Sequence, residues 1–273
     1  METGNNPLTK LTVDLKLILY LDSTKFSYSI FNPDNNCFEL VEEKKINYNN
    51  NITEEIQSII NTNQHLNKKY PTILLAVDLG PSTLIPEVLF EEKYIEKYID
   101  LTSNKNQDSI CYYSKQRFIE CYSISSINHK LMDLLKNHFQ KIKIKPFSSI
   151  FIDYAINLNK KRKELYVQIN SYNFHMTLVN NKQLEFYNKF EFHNTNDFIY
   201  YFMNCINNLD FETEKNTINI TSELNPNHTL IETIQKYITI KFINRPTHFL
   251  YKDEVMKNRS YKNHNLFSQL ICE

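Results

Sequence analysis

One order of hydrophobic periods occurs twice in this 273-residue chain, and that order limits the available folds more than any single motif does. Leu17, Leu19 and Leu21, then Phe26, Tyr28 and Ile30, then Phe38 and Leu40 alternate as three strands, with turns at 22–25 and 32–36. Ile52, Ile56, Ile59 and Ile60 follow at helical spacing, behind the acidic start Thr53-Glu54-Glu55. A short apolar run, Ile73 to Val77, gives a fourth strand ending at Asp78. Pro86 suits the first position of a further helix carrying Val88, Leu89, Ile95 and Ile99.

From residue 163 the order begins again. Leu165, Val167 and Ile169, then Phe174, Met176 and Leu178, then Leu184, Phe186, Phe190 and Phe192 mark three strands, broken at 170–173 and 180–182. Phe198, Tyr201, Phe202, Cys205 and Ile206 hold i, i+3, i+4 spacing behind Thr195 as a cap, and predict one buried helical face. A short strand at Ile218 and Ile220, a helix at 230–237 and a last strand at 238–242 complete the copy. Between the copies lie a strand pair at 108–124, a helix bearing Ile127, Leu131, Leu134, Leu135 and Phe139, and a helix bearing Ile150, Phe151, Tyr154 and Ala155.

Two copies of strand, strand, strand, helix, strand, helix imply mixed sheets whose parallel strands are covered on both faces. The expected fold class is α/β: a duplicated actin-like (ribonuclease H-like) ATPase-type fold, the class of sugar kinases and Hsp70 ATPases, degenerate in its phosphate turns. An α+β protein without a true repeat is the alternative. The expected halves are 1–158 and 159–273. The second includes a mobile stretch at 252–262 and a C-terminal helix at 264–272, docked through Leu266, Phe267, Leu270 and Ile271.

Glycine bears on function. The chain has two, Gly4 and Gly80, where average usage gives roughly nineteen. Phosphate loops use glycine for close backbone approach, so a P-loop, a dinucleotide fingerprint and a kinase-type glycine loop are excluded. In an actin-like fold the phosphate turns fall at Asp22-Ser23-Thr24-Lys25 and Asn170-Ser171-Tyr172-Asn173. Asp22 can hold a metal through water, and Ser23, Thr24 and Ser171 can donate to phosphate. Both turns lack glycine, Tyr172 brings a ring where close approach is required, and Asp and Asn are ordinary turn residues. Asp78-Leu79-Gly80 resembles half of such a turn at the end of a strand, but Gly80 beside Pro81 reads as a loop residue. Asp153 has no partner carboxylate, the eight histidines show no metal spacing, and no nucleophile elbow occurs. The sequence therefore nominates no catalytic, cofactor-binding or metal-ligating residue.

Thirty-one basic residues balance 31 acidic ones, which argues against nucleic acid and anionic membranes as partners. Lys160-Lys161-Arg162-Lys163 reads as a solvated turn. Lys141, Lys143 and Lys145 alternate as one exposed face of a strand and discourage edge pairing. Five scattered cysteines suggest neither disulfides nor zinc, and Cys111 and Cys121 fall opposite one another if 108–124 is a hairpin. No run approaches the ~20 apolar residues of a membrane span, and no signal-peptide pattern opens the sequence. A cytoplasmic location is expected.

Three segments carry a family resemblance: Ser82-Thr83-Leu84-Ile85-Pro86 with Leu89-Phe90; Asn188-Lys189-Phe190 followed by Asp197-Phe198-Ile199-Tyr200-Tyr201; and Phe267-Ser268-Gln269-Leu270-Ile271-Cys272-Glu273. Together they resemble the Bacteroidota proteins of domain-of-unknown-function family 3822, over nearly the whole chain. The resemblance implies an actin-like or pilus-assembly-ATPase-like fold in a cytoplasmic bacterial protein, with no established activity. Ser222 stands where a glycine-bearing turn is expected. Two functional expectations follow. One is a non-catalytic actin-like scaffold that binds a protein partner without a cofactor. The other is a divergent ATPase that binds Mg-ATP weakly through Asp22 and side-chain hydroxyls. An RNA-associated factor using 136–145 conflicts with the neutral net charge.

Overall fold

The computed structural model describes residues 14–47, 51–102, 108–209, 211–212 and 216–273. β1 (Lys16–Asp22), β2 (Lys25–Asn32) and β3 (Cys37–Lys45) form an antiparallel meander, after which α1 (Ile52–Thr62) crosses over to β4 (Thr72–Asp78). β4 lies parallel to β1, with Leu19 opposite Leu75. β5 (Ser82–Pro86), α2 (Ile95–Asp100), β6 (Ser109–Lys115) and β7 (Cys121–Asn128) form a separate three-stranded unit. α3 (His129–His138) then leads to β8 (Ile142–Pro146) and α4 (Phe147–Leu158). The second copy comprises β9 (Glu164–Ile169), β10 (Asn173–Asn180), β11 (Gln183–Glu191), α5 (Thr195–Asn208), β12 (Ile218–Ser222), α6 (Thr229–Gln235) and β13 (Ile240–Phe242). β14 (Leu250–Tyr251), α7 (Asp253–Met256) and α8 (His264–Ile271) end it.

The strand orders are β14-β3-β2-β1-β4-β8 and β11-β10-β9-β12-β13, so both halves place a meander beside parallel crossover strands. β1 shows why its sequence is apolar nearly throughout. Leu17, Leu19 and Leu21 join a core with α1 and α3, while Ile18 and Tyr20 join a second core with α4 and α8. β9 divides in the same way: Leu165, Val167 and Ile169 face α5 and α6, and Tyr166 faces the second core. α4 lies between the halves with Phe147 to Ile156 all buried.

Several details of the sequence reading need correction, among them Ile127, expected on a helix, which belongs to β7. The helix expected from Pro86 is a strand end followed by two 3-10 turns and the short α2, with Val88 and Leu89 88% and 64% exposed. Pairing with β7 extends the chain here, and Pro86 lies at the end of an edge strand, where a missing N–H is tolerated. Cys111 faces Ser126 and Cys121 faces Pro86, so the two thiols are not opposite. In α5, Phe198, Phe202, Cys205 and Ile206 are buried, but Tyr201 is 39% exposed and stacks on Phe190 at the rim. Asn194 caps that helix, accepting from the amides of Asn196 and Asp197.

β14 pairs in parallel with β3, which returns the chain to the first sheet. Leu266 and Phe267 of α8 enter the core shared with α4, and Leu270 and Ile271 pack beside it. The polar side of α8 is covered too, because Gln269 Nε2 donates to the carbonyl of Leu19 at 2.8 Å. Val255 of α7 is buried in the same core. Among the described residues no helix is long and apolar enough to cross a membrane.

Candidate functional site

The two turns singled out by sequence, at 22–25 and 170–173, come together with Asp78 at one end of a cleft between the halves. Asp22 Oδ1 accepts from the Thr24 amide (2.7 Å), the Thr24 hydroxyl (2.7 Å) and the Lys25 amide (2.9 Å). This aspartate turn organises the β1–β2 hairpin without glycine. No residue in either turn has a positive φ. Asn170 closes the second turn by donating instead: its amide donates to the Asn173 carbonyl, and its side-chain Nδ2 donates to Asn173 Oδ1.

Lys25 spans the cleft from β2, with Nζ 3.1 Å from Glu43 Oε2 and 3.7 Å from Glu223 Oε2 just beyond β12. Around it opens a space of about 570 Å³, lined also by Asp22, Ser171 and Tyr172. Ser222 completes the turn there, accepting from the Leu224 amide and donating to the Ile169 carbonyl. It does by hydroxyl what a glycine turn would do by backbone conformation.

Asp78 is held by three side chains. His175 Nε2 donates to its Oδ2 at 3.0 Å, Asn170 Nδ2 donates to the same oxygen at 3.2 Å, and Lys189 Nζ lies 2.7 Å from Oδ1. All three partners belong to the second half, whereas Asp78 ends β4 of the first. Burial alone would raise its pKa, but the charges and hydrogen bonds of His175 and Lys189 outweigh that and hold it well below the usual carboxylate range. For Asp22 the balance is reversed: burial raises its carboxyl despite the opposing effects of Lys25 and Thr24. Asp153 lies apart, accepting the Arg117 amide on both carboxylate oxygens (3.1 and 3.0 Å) at the β6–β7 turn, and burial raises its pKa to about 6.

These residues fit a nucleotide poorly. The Thr24 and Lys25 amides that would face a phosphate are held by Asp22, and Glu43 and Glu223 add negative charge where an anion would lie. The Tyr172 ring stands 53% exposed on the second turn. One feature suits a water-held Mg ion: Asp22 Oδ2 is buried with no hydrogen-bond partner. Among the described residues, however, no three or more His, Cys, Asp or Glu side chains are placed to hold a metal.

Gly80 lies in the loop between β4 and β5, as its sequence context suggests, and it also permits a close contact with β7. A Cβ at this position would clash with the Ser126 carbonyl oxygen of β7, so glycine is needed for this close contact. Gly80→Ala is expected to destabilise the protein by about 1–3 kcal/mol in urea unfolding, because backbone must move to admit the methyl group. A change below about 0.5 kcal/mol would mean that the contact relaxes freely.

Asp22, Asn170 and Asp78 stand out in sequence as turn and strand-end residues, and His175, beside Met176, as the histidine placed for burial; Lys189 does not stand out. His175 is a polar residue in the buried strand β10, but Lys189 lies in β11, where polar and apolar residues mix, and nothing local sets it apart. Nothing local marked Lys25, Glu43 and Glu223 as a set.

A family model described as "Protein of unknown function (DUF3822)" matches residues 8–240. A Bacteroides thetaiotaomicron VPI-5482 protein, described as having an actin-like ATPase fold and unknown function, superposes with a TM-score of 0.82 at 22% identity, covering 99% of this chain and 100% of that one. A chain of the PilM-PilN type IV pilus biogenesis complex superposes with a TM-score of 0.62 at 7% identity, covering 94% and 98%. None of the curated proteins matches. With the fold and the family model in agreement, this chain belongs to domain-of-unknown-function family 3822 and has an actin-like ATPase fold.

Proposed function

We propose that this chain is a non-catalytic, cytosolic actin-fold module whose role is to hold a protein partner. In this reading its two units meet at Leu158 and Asn159, with the segment from Leu250 onward laid back over the first. The observation that carries the proposal is the self-occupation of the cleft: Asp22 binds its own turn amides, Lys25 bridges Glu43 and Glu223, and Asp78 is clamped by His175 and Lys189. A chain that closes its phosphate turns with its own side chains keeps the architecture and gives up the ligand. The similarity in fold to a chain of the PilM-PilN complex, a protein-protein assembly, supports the binding role by analogy alone.

The second reading, a divergent ATPase, draws on the unpartnered Asp22 Oδ2. Calorimetric titration of the full chain with Mg-ATP separates the two. The scaffold reading expects no saturable binding up to about 1 mM, equivalent to a binding free energy weaker than about −4 kcal/mol. Micromolar binding that disappears in Asp22→Ala would reject it in favour of the ATPase.

A further inference from the structure

The three-stranded unit carries a surface that the core does not use. Phe90 stacks on Tyr122 with ring centroids 3.9 Å apart, meets Tyr113 at 4.9 Å and lies over Tyr98 at 6.4 Å. The Tyr98 hydroxyl donates to the Leu89 carbonyl at 2.6 Å, which fixes α2 against the turn that carries Val88 and Leu89. Phe90, Tyr98, Tyr113 and Tyr122 remain half-buried, and Val88 and Leu89 project into solvent. A hydrogen-bonded, ring-stacked base that displays two aliphatic side chains is a rigid surface, with little entropy left to lose on docking. Aromatic anchors of this kind are enriched at protein interfaces.

Charge identifies the occupant. The chain as a whole is neutral, yet this face holds five carboxylates (Glu87, Glu91, Glu92, Glu96 and Asp100) against three lysines (Lys93, Lys97 and Lys115), a net −2. Glu91 pairs with Lys93 on the rim, and Glu87 pairs with Lys115 of β6. Such a rim repels nucleic acid and anionic lipid and attracts cationic protein.

We propose that this face, Val88 and Leu89 beside the Phe90–Tyr98–Tyr122 stack, docks a basic amphipathic segment of a partner protein, its apolar side on these residues and its lysines or arginines over the acidic rim. The proposal rests on the protein-binding reading above and gives it a location and a partner chemistry.

The test uses the full chain and a fluorescein-labelled 18-residue amphipathic peptide of leucine and lysine, with its leucine-glutamate counterpart as the second probe. Fluorescence anisotropy should show saturable binding of the lysine peptide, at least about tenfold tighter than the glutamate peptide. Val88→Ser with Leu89→Ser should weaken it by about tenfold or more, and so should Glu91→Lys with Asp100→Lys, the latter with a reduced salt dependence. All four residues are exposed, and unchanged circular dichroism melts would show that the variants fold. Tyr237→Ser, at an exposed site on the second half, should leave binding unchanged. Equal affinity for the two peptides, or lysine-peptide binding indifferent to both double substitutions, would overturn the proposal. The Mg-ATP titration is independent of this outcome: absence of ATP binding together with failure of the peptide test would reject this surface and leave the scaffold reading standing.

Discussion

Asp78→Ala is expected to destabilise the protein by about 3–5 kcal/mol at pH 7, the usual cost of removing one member of a buried ion pair. The substitution leaves Lys189, His175 and Asn170 facing a buried site with no acceptor; the side chains of His175 and Asp78 are 1% and 4% exposed, and that of Lys189 is 10%. The acid dependence has a definite sign. Because the folded-state pKa of Asp78 is depressed, its stabilisation is fully present above the unfolded value near 3.9 and is lost as pH falls through the folded value. The stability gap between wild type and variant should thus hold from neutral pH down to about 4 and narrow below it. Urea unfolding across that range measures the gap. A gap under about 1 kcal/mol at pH 7, or one that widens on acidification, would show that the clamp contributes little.

The second large effect belongs to the core of the second half. Phe202 is fully buried, with its ring 5.2 Å from Phe198 and 6.2 Å from Phe174. Phe202→Ala should cost about 3–5 kcal/mol, combining lost transfer energy with a cavity that stacked rings cannot fill. Tyr201→Ala, one residue away and partly exposed, should cost under about 1 kcal/mol. Chemical denaturation of both variants checks the orientation of α5. Comparable losses would mean that the helix is rotated relative to β9 and β10.

α5 was legible in the sequence because one face is dry and the other wet, which writes a 3.6-residue period into the residues. The meanders were legible through alternation and Asp/Asn turns. α4 was harder to read: held between the two halves, it is buried all round, so its sequence has no polar face to set its limits. β5 was hidden by Pro86, a residue that starts helices as readily as it ends edge strands. β14, at two residues, is too short to carry any period. The clamp on Asp78 could not be read locally, because His175 and Lys189 lie 97 and 111 positions away. What sequence showed there was one ionisable residue, His175, within a strand otherwise made for a core, while Lys189 was one polar residue among several in β11.

The return of β14 and α8 to the first sheet also sets a timetable for biosynthesis. Asn36 and His248, hydrogen-bonded beside the β3–β14 pairing, are 212 positions apart. At ~5–20 residues per second, a ribosome needs roughly ten to forty seconds to cover that distance. Until then Phe31 and Phe38 lack the rings of Phe249 and Phe267 that cover them in the finished protein. The second sheet, from β9 to β13, has all its strands within one continuous stretch and can close while the first is still waiting. The half translated first is therefore completed last, and during the interval its aromatic surface is without its final cover.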